Sequence, residues 1–183
     1  DNGAMPLLTV GHGALDRAGL AALLTGRRVA RVVDIRRFPG SRRNPDVKRE
    51  ALAEWLPQEG VGYRWEPRLG GRRHLPKGTP APDTWWRVEA FRSYAAYTRT
   101  EDFTAALAEV VEEARGEDRV AVMCSEAVWW RCHRRLVADV ATLVLDLPVH
   151  HLMPDGNIRR HEPSDGARVS DGVVFWDGPN EGG

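Results

Sequence analysis

The chain has 183 residues, 42% hydrophobic and 28% charged, enough apolar material for one packed domain and too much for a disordered tail. No apolar run approaches the ~18–20 residues that span a bilayer, and the first thirty residues lack the charged–apolar–cleavage pattern of a signal peptide. Two cysteines are too few for a disulfide scaffold, so the expectation is a cytoplasmic protein with no membrane partner, its oligomeric state left open. The formal charge is zero, but only Lys48 and Lys77 of the 26 basic residues are lysines, and codon bias accounts for such an arginine excess. The clustering is more informative. Segment 31–73 holds eleven basic and six acidic residues, which argues for a local anion site rather than wholesale nucleic-acid coating.

Residues 1–4 precede the first methionine, Met5, and resemble the remnant of a cloning tag. Pro6–Val10 is a short apolar strand ending in the turn Gly11-His12-Gly13. Apolar positions 15, 20, 23 and 24 have helical spacing, and Arg31–Ile35 is a β-branched strand. Asn44 as N-cap and Pro45 at the first position predict a helix over 45–59, with strand Val61–Glu66 after it. Residues 67–85 form a long loop rich in Gly and Pro, a length that is usually functional or disordered. Helices are expected over 88–97 and 100–114, then the buried strand Arg119–Met123, a loop, and a helix over 131–145. Val149–Leu152 is a last strand, and Val173–Trp176 an edge strand within the polar tail or terminal hairpin at 157–183. The fold class is α/β, three-layered, with a mainly parallel sheet of about five strands in a single domain over 5–156.

Chemistry concentrates in the string Cys124-Ser125-Glu126-Ala127-Val128-Trp129-Trp130-Arg131-Cys132-His133-Arg134. Cys124 ends a buried strand, where ligands bind in open parallel sheets, and a helix starting after the loop would favour its thiolate. Arg131 and Arg134 can clamp an oxyanion, and Glu126, His12 or His133 can act as acid and base. Cys132, aligned with Leu136 and Val140, reads as core packing that can also resolve an oxidised Cys124. A zinc site from Cys124, Cys132, His133 and His12 matches no tight ligand pair, and no cofactor is called for. On the neighbouring strand end, Arg36 followed by Arg42 and Arg43 makes an anion pocket, with Asp34 orienting an arginine or histidine.

Thr9-Val10-Gly11-His12, Val33-Asp34-Ile35-Arg36 with Phe38-Pro39-Gly40-Ser41-Arg42-Arg43-Asn44-Pro45, Leu69-Gly70-Gly71-Arg72, Phe91-Arg92-Ser93-Tyr94 and Met123-Cys124-Ser125-Glu126 through Arg134 resemble the "domain of unknown function 488" family, from about Leu7 to Leu152. That family supplies no reaction. The Asp34 strand and the Cys124 loop are also similar to rhodanese-like domains, a resemblance that implies an α/β fold whose loop cysteine carries a persulfide. The loop departs from that pattern in Glu126, Trp129 and Trp130, and Cys124 to Arg131 is one residue longer than the C-x5-R of the phosphatase relatives.

The expected function is a cysteine-centred enzyme acting on a small anionic or nucleotide-like substrate, with sulfur transfer as the reaction the resemblance implies. One alternative is a nucleic-acid module using the 31–73 block, with Trp85 and Trp86 as exposed stacking surfaces. The other is a redox or metal-binding protein built on Cys124 and Cys132.

Overall fold

The computed structural model of the protein describes residues 5–178. Five parallel strands, β1 (Leu7–Gly11), β2 (Arg31–Asp34), β3 (Gly62–Trp65), β4 (Val120–Cys124) and β5 (Val149–Leu152), stand in the order β3-β2-β4-β1-β5. A sixth, β6 (Ile158–Arg160), pairs antiparallel with β5. Each central strand is apolar on both faces because helices cover both. Leu8, Val10, Val32, Ala121 and Met123 pack under α1 (Arg17–Gly26) and α2 (Arg49–Gln58). Their neighbours Leu7, Val33, Val120 and Val122 pack under α3 (Glu89–Tyr97), α4 (Glu101–Ala114) and α5 (Arg134–Leu143). The result is a three-layer α/β domain. No helix among the described residues is long and apolar enough to cross a membrane.

Local chemistry sets most boundaries. Asp16 caps α1 by accepting from the Gly19 amide at 2.8 Å, and Thr100 caps α4 by accepting from the Phe103 amide at 3.3 Å. Two expected helices begin later than the sequence suggests. The 45–59 helix is split: Pro45–Val47 is a single 3-10 turn, Lys48 is extended, and α2 starts at Arg49. Asn44 does not cap it, because its amide is drawn to the Leu15 carbonyl at 2.6 Å. Likewise Trp129–Arg131 is a 3-10 turn, Cys132 is extended, and α5 begins only at Arg134.

Of the two readings for the C-terminal segment, tail or terminal hairpin, the described residues 157–178 show the hairpin, packed onto the domain. Beyond β6, a hairpin of β7 (Arg168–Ser170) and β8 (Val173–Phe175) forms its own two-stranded sheet, so 173–176 is not the edge of the main one. Trp176, fully buried, follows the hairpin. Its indole Nε1 donates to Asp139 Oδ2 at 2.9 Å, while Asp139 Oδ1 takes the Ser164 amide at 3.0 Å and lies 2.7 Å from His161 Nε2. One buried carboxylate of α5 thus holds three points of the C-terminal segment. Trp86, expected as an exposed stacking surface, is buried against Trp176 and Phe91, and Trp85 is half-buried. The cloning-remnant reading of 1–4 lies outside the described residues.

Asp139→Ala strands those donors in a dry site and should cost about 3–5 kcal/mol. Urea unfolding checks this. A loss below about 1 kcal/mol would mean that the segment is held by apolar packing alone.

Candidate functional site

Parallel register brings the carboxyl ends of β1, β2 and β4 together, with Gly11 opposite Cys124 and Asp34 opposite Met123. Above them lies a cleft of about 360 Å³ whose walls include His12, Arg36, Arg37, Phe38, Arg72, Phe91, Tyr94, Cys124, Glu126, Arg131, Cys132 and His133. The loop 125–128 crosses so close to β1 that a Cβ at Gly11 would fall inside the Glu126 carbonyl, which explains the glycine of Thr9-Val10-Gly11-His12. Gly70 similarly receives the backbone of Arg37, and Gly71 leaves room for the His133 ring. The Leu69-Gly70-Gly71-Arg72 string therefore shapes one wall of the cleft.

The two cysteines meet at the floor. Their sulfurs are 2.8 Å apart, with no disulfide joining them; Cys124 is 1% exposed and Cys132 6%. Because the helix begins at Arg134, the thiol at its N-terminus is that of Cys132, not of Cys124. The Arg134 amide approaches Cys132 Sγ at 3.5 Å, and His133 Nδ1 lies 3.4 Å away. Burial opposes ionisation of Cys132, but the Cys124 thiol, His133 and Arg134 together hold its pKa well below the usual thiol range. Burial, reinforced by the neighbouring sulfur, drives Cys124 well above that range. His133 Nε2 donates to the Ile35 carbonyl at 2.9 Å. Burial lowers its pKa, and the Cys132 sulfur beside it more than reverses this, so the net shift is upward. The geometry sets an imidazole and a helix N-terminus against the Cys132 sulfur.

The other expected residues divide by what they touch. Arg36 is 7% exposed and fully engaged: Nε and Nη2 grip Asp34 bidentately at 2.8 and 2.7 Å, and Nη2 also donates to the Val47 carbonyl at 2.8 Å. Tyr63 adds a 2.6 Å hydrogen bond to Asp34, a residue nothing in the sequence singled out. His12 Nδ1 donates to the Gly13 carbonyl at 2.9 Å, and its Nε2 accepts from Arg36 Nη1 at 3.2 Å. Burial, with Arg36 beside it, holds His12 below the ordinary histidine range, so it is neutral with both nitrogens occupied. Arg36, Asp34 and His12 are thus bound to one another, with His12 and Arg36 on the cleft wall. Arg134 is framework: 1% exposed, it donates to Thr9 Oγ1 at 3.1 Å, the Glu126 carbonyl at 2.7 Å and the Ala127 carbonyl at 3.3 Å, and it does not line the cleft.

Arg131 is exposed on the cleft wall, and among the described residues nothing hydrogen-bonds its guanidinium. Arg42 and Arg43 are exposed but stand outside the lining. Arg37, which follows Arg36, and Arg72 of the glycine string contribute charge to the wall instead, Arg37 donating to the Arg72 carbonyl at 2.7 Å. Glu126 is exposed and bonds the Val128 amide at 3.1 Å, a loop-capping role. Trp129 and Trp130 do not cover the site; Trp129 stacks on His151 at 4.1 Å between ring centres. Among the described residues no group of three His, Cys, Asp or Glu side chains could hold a metal.

Iodoacetamide should label Cys132 before Cys124 and should do so at pH values below about 8.5, the ordinary thiol midpoint. Because only the thiolate reacts, the rate should fall as pH drops through the depressed Cys132 pKa, and Cys132→Ser should abolish it. First labelling of Cys124, mapped by mass, would reverse the roles. Arg36→Ala leaves Asp34 charged and unpaired in the interior and should cost about 3–5 kcal/mol. Arg42→Ala should stay within about 0.5 kcal/mol by the same unfolding assay.

No curated protein and no solved structure matches the chain. A family model does, over residues 17–141, which takes in α1, the Arg36 loop, the glycine string and both cysteines. The chain belongs to the family described as domain of unknown function DUF488.

Proposed function

We propose that the protein is a thiol-dependent transferase that accepts a sulfane sulfur from a small anionic donor, with Cys132 as the nucleophile. One observation carries the reading: Cys132 Sγ lines a cationic cleft at the N-terminus of α5, touched by the Arg134 amide, His133 and Cys124. That setting favours a thiolate, and a thiolate is the reactive species. Arg131, Arg37 and Arg72 give the donor's charge its partners, with Arg131 the one whose guanidinium is unoccupied among the described residues.

The choice of reaction follows from what the cleft's imidazoles are doing. Both nitrogens of His12 are tied, and His133 is held between the Ile35 carbonyl and Cys132. A leaving group that needs a proton would have to take the one that His133 shares with Cys132. A sulfane donor such as thiosulfate needs none: the thiolate attacks the outer sulfur, a Cys132 persulfide forms, and sulfite departs as a stable dianion. The likeness of the Asp34 strand and Cys124 loop to rhodanese-like domains supports the same chemistry, though on the other cysteine. Two free thiols in contact fit a reducing, cytoplasmic setting.

Reduced protein mixed with thiosulfate in a single turnover should release sulfite in proportion to active sites. Cys132→Ser should abolish the burst, and Arg131→Ala, which leaves the fold intact, should slow it about ten- to hundredfold through loss of a charge-assisted contact. A burst that survives in Cys132→Ser, or none in the wild type, would overturn the reading.

A further inference from the structure

Cys124 forms no bond to the incoming sulfur, yet its buried thiol lies against the nucleophile. Its hydrogen has two acceptors within reach, the Glu126 carbonyl at 3.4 Å and Cys132 Sγ at 2.8 Å. The contact is held from outside the pair. Arg134 grips the carbonyls of Glu126 and Ala127 at 2.7 and 3.3 Å, which closes the loop between the two cysteines and keeps its ends together. His133, locked on the Ile35 carbonyl at 2.9 Å, keeps the far side of Cys132 occupied. Core packing alone would be served by any small apolar side chain in place of Cys124.

From the contact between the two sulfurs we propose that Cys124 resolves the persulfide on Cys132, so that the pair reduces the accepted sulfur to sulfide and closes into a Cys124–Cys132 disulfide. This rests on Cys132 accepting sulfane sulfur. In the second step Cys124 sulfur bonds to Cys132 Sγ, and the bond from Cys132 Sγ to the outer sulfur breaks. The Cys124 proton goes to that outer sulfur, which already carries the negative charge, and it leaves as hydrosulfide. Two cysteines are oxidised from thiol to disulfide while one sulfane sulfur is reduced to sulfide, so electrons balance. Two molecules of a small thiol, themselves ending as a disulfide, restore the dithiol. Burial favours this order: the neutral Cys124 thiol keeps its proton until the leaving sulfide can take it.

The test is one anaerobic turnover of reduced wild-type protein with thiosulfate, with sulfite, sulfide and intact mass read together. The expected result is one sulfide for each sulfite, with the protein lighter by two hydrogens. Cys124→Ser and Cys124→Ala should still release sulfite, more slowly in Cys124→Ala for want of the hydrogen bond to Cys132, but release no sulfide above background and be heavier by one sulfur atom. Wild type that releases sulfite but keeps the extra sulfur would show Cys124 to be idle and overturn this proposal while leaving sulfur acceptance intact. No sulfite from any form would overturn sulfur acceptance, and this proposal with it. The wild-type ratio of sulfide to sulfite decides even if the Cys124 variants misfold.

Discussion

A guanidinium with almost no contact with solvent organises the functional end of this molecule. Arg134, at the start of α5, reaches Thr9 on β1 and the carbonyls of Glu126 and Ala127 in the cysteine loop. Among the described residues no carboxylate pairs with it. A buried cation favours negative charge nearby, and the Cys132 sulfur, whose pKa is held low, lies in the same turn. The two requirements support each other: the arginine favours the thiolate, and the thiolate offsets the cost of burying the arginine. Arg134 thereby joins β1, the cysteine loop and the start of α5 at one point.

From the same point a polar chain runs through the interior. Thr9 Oγ1 lies 2.6 Å from His151 Nδ1, His151 Nε2 lies 2.8 Å from His161 Nδ1, and His161 Nε2 lies 2.7 Å from Asp139. Burial, with His161 and Arg134 close by, lowers the His151 pKa to about 2, so the ring is neutral. With a fixed donor at the Arg134 end and a carboxylate acceptor at the other, each member has partners on both sides. Trp129 of the cysteine loop lies flat on His151. The C-terminal segment, outside the family match, is thereby built into the support of the cleft.

The basic block at 31–73 has a similar double life. Arg36 is spent on Asp34, Arg31 and Arg64 on Glu113, and Arg68 on Glu66 and Glu109. These pairs tie β2, β3 and the turn after β3 to α4, and they remove much of the local excess charge. Of the rest, Arg37 and Arg72 stand on the cleft wall, joined there by Arg131 from the cysteine loop, while Arg42 and Arg43 are exposed outside it. The arrangement suits a small anion better than a polymer of phosphates, since a polyanion would need a continuous exposed stripe.

The alternation of apolar strands with amphipathic helices is a local property, because strand and helix periods are written in neighbouring residues. Hence the α/β class, the parallel sheet and the gathering of Gly11, Asp34 and Cys124 at one edge were all legible in the chain. So was the concentration of polar residues around Cys124 and Arg36, though not which of them would be consumed by one another. Tyr63 on Asp34, Asn44 on the Leu15 carbonyl and Arg134 on the loop carbonyls join residues 7 to 29 positions apart through side-chain directions that periodicity does not encode. The delayed start of α5 moved the helix N-terminus from Cys124 to Cys132. In the turn that precedes it, Trp129 stacks on His151, some twenty residues later on another strand. Spacing along the chain can bring two thiols and several charges to one edge. Which sulfur ionises is decided by the field of groups that only the folded packing assembles.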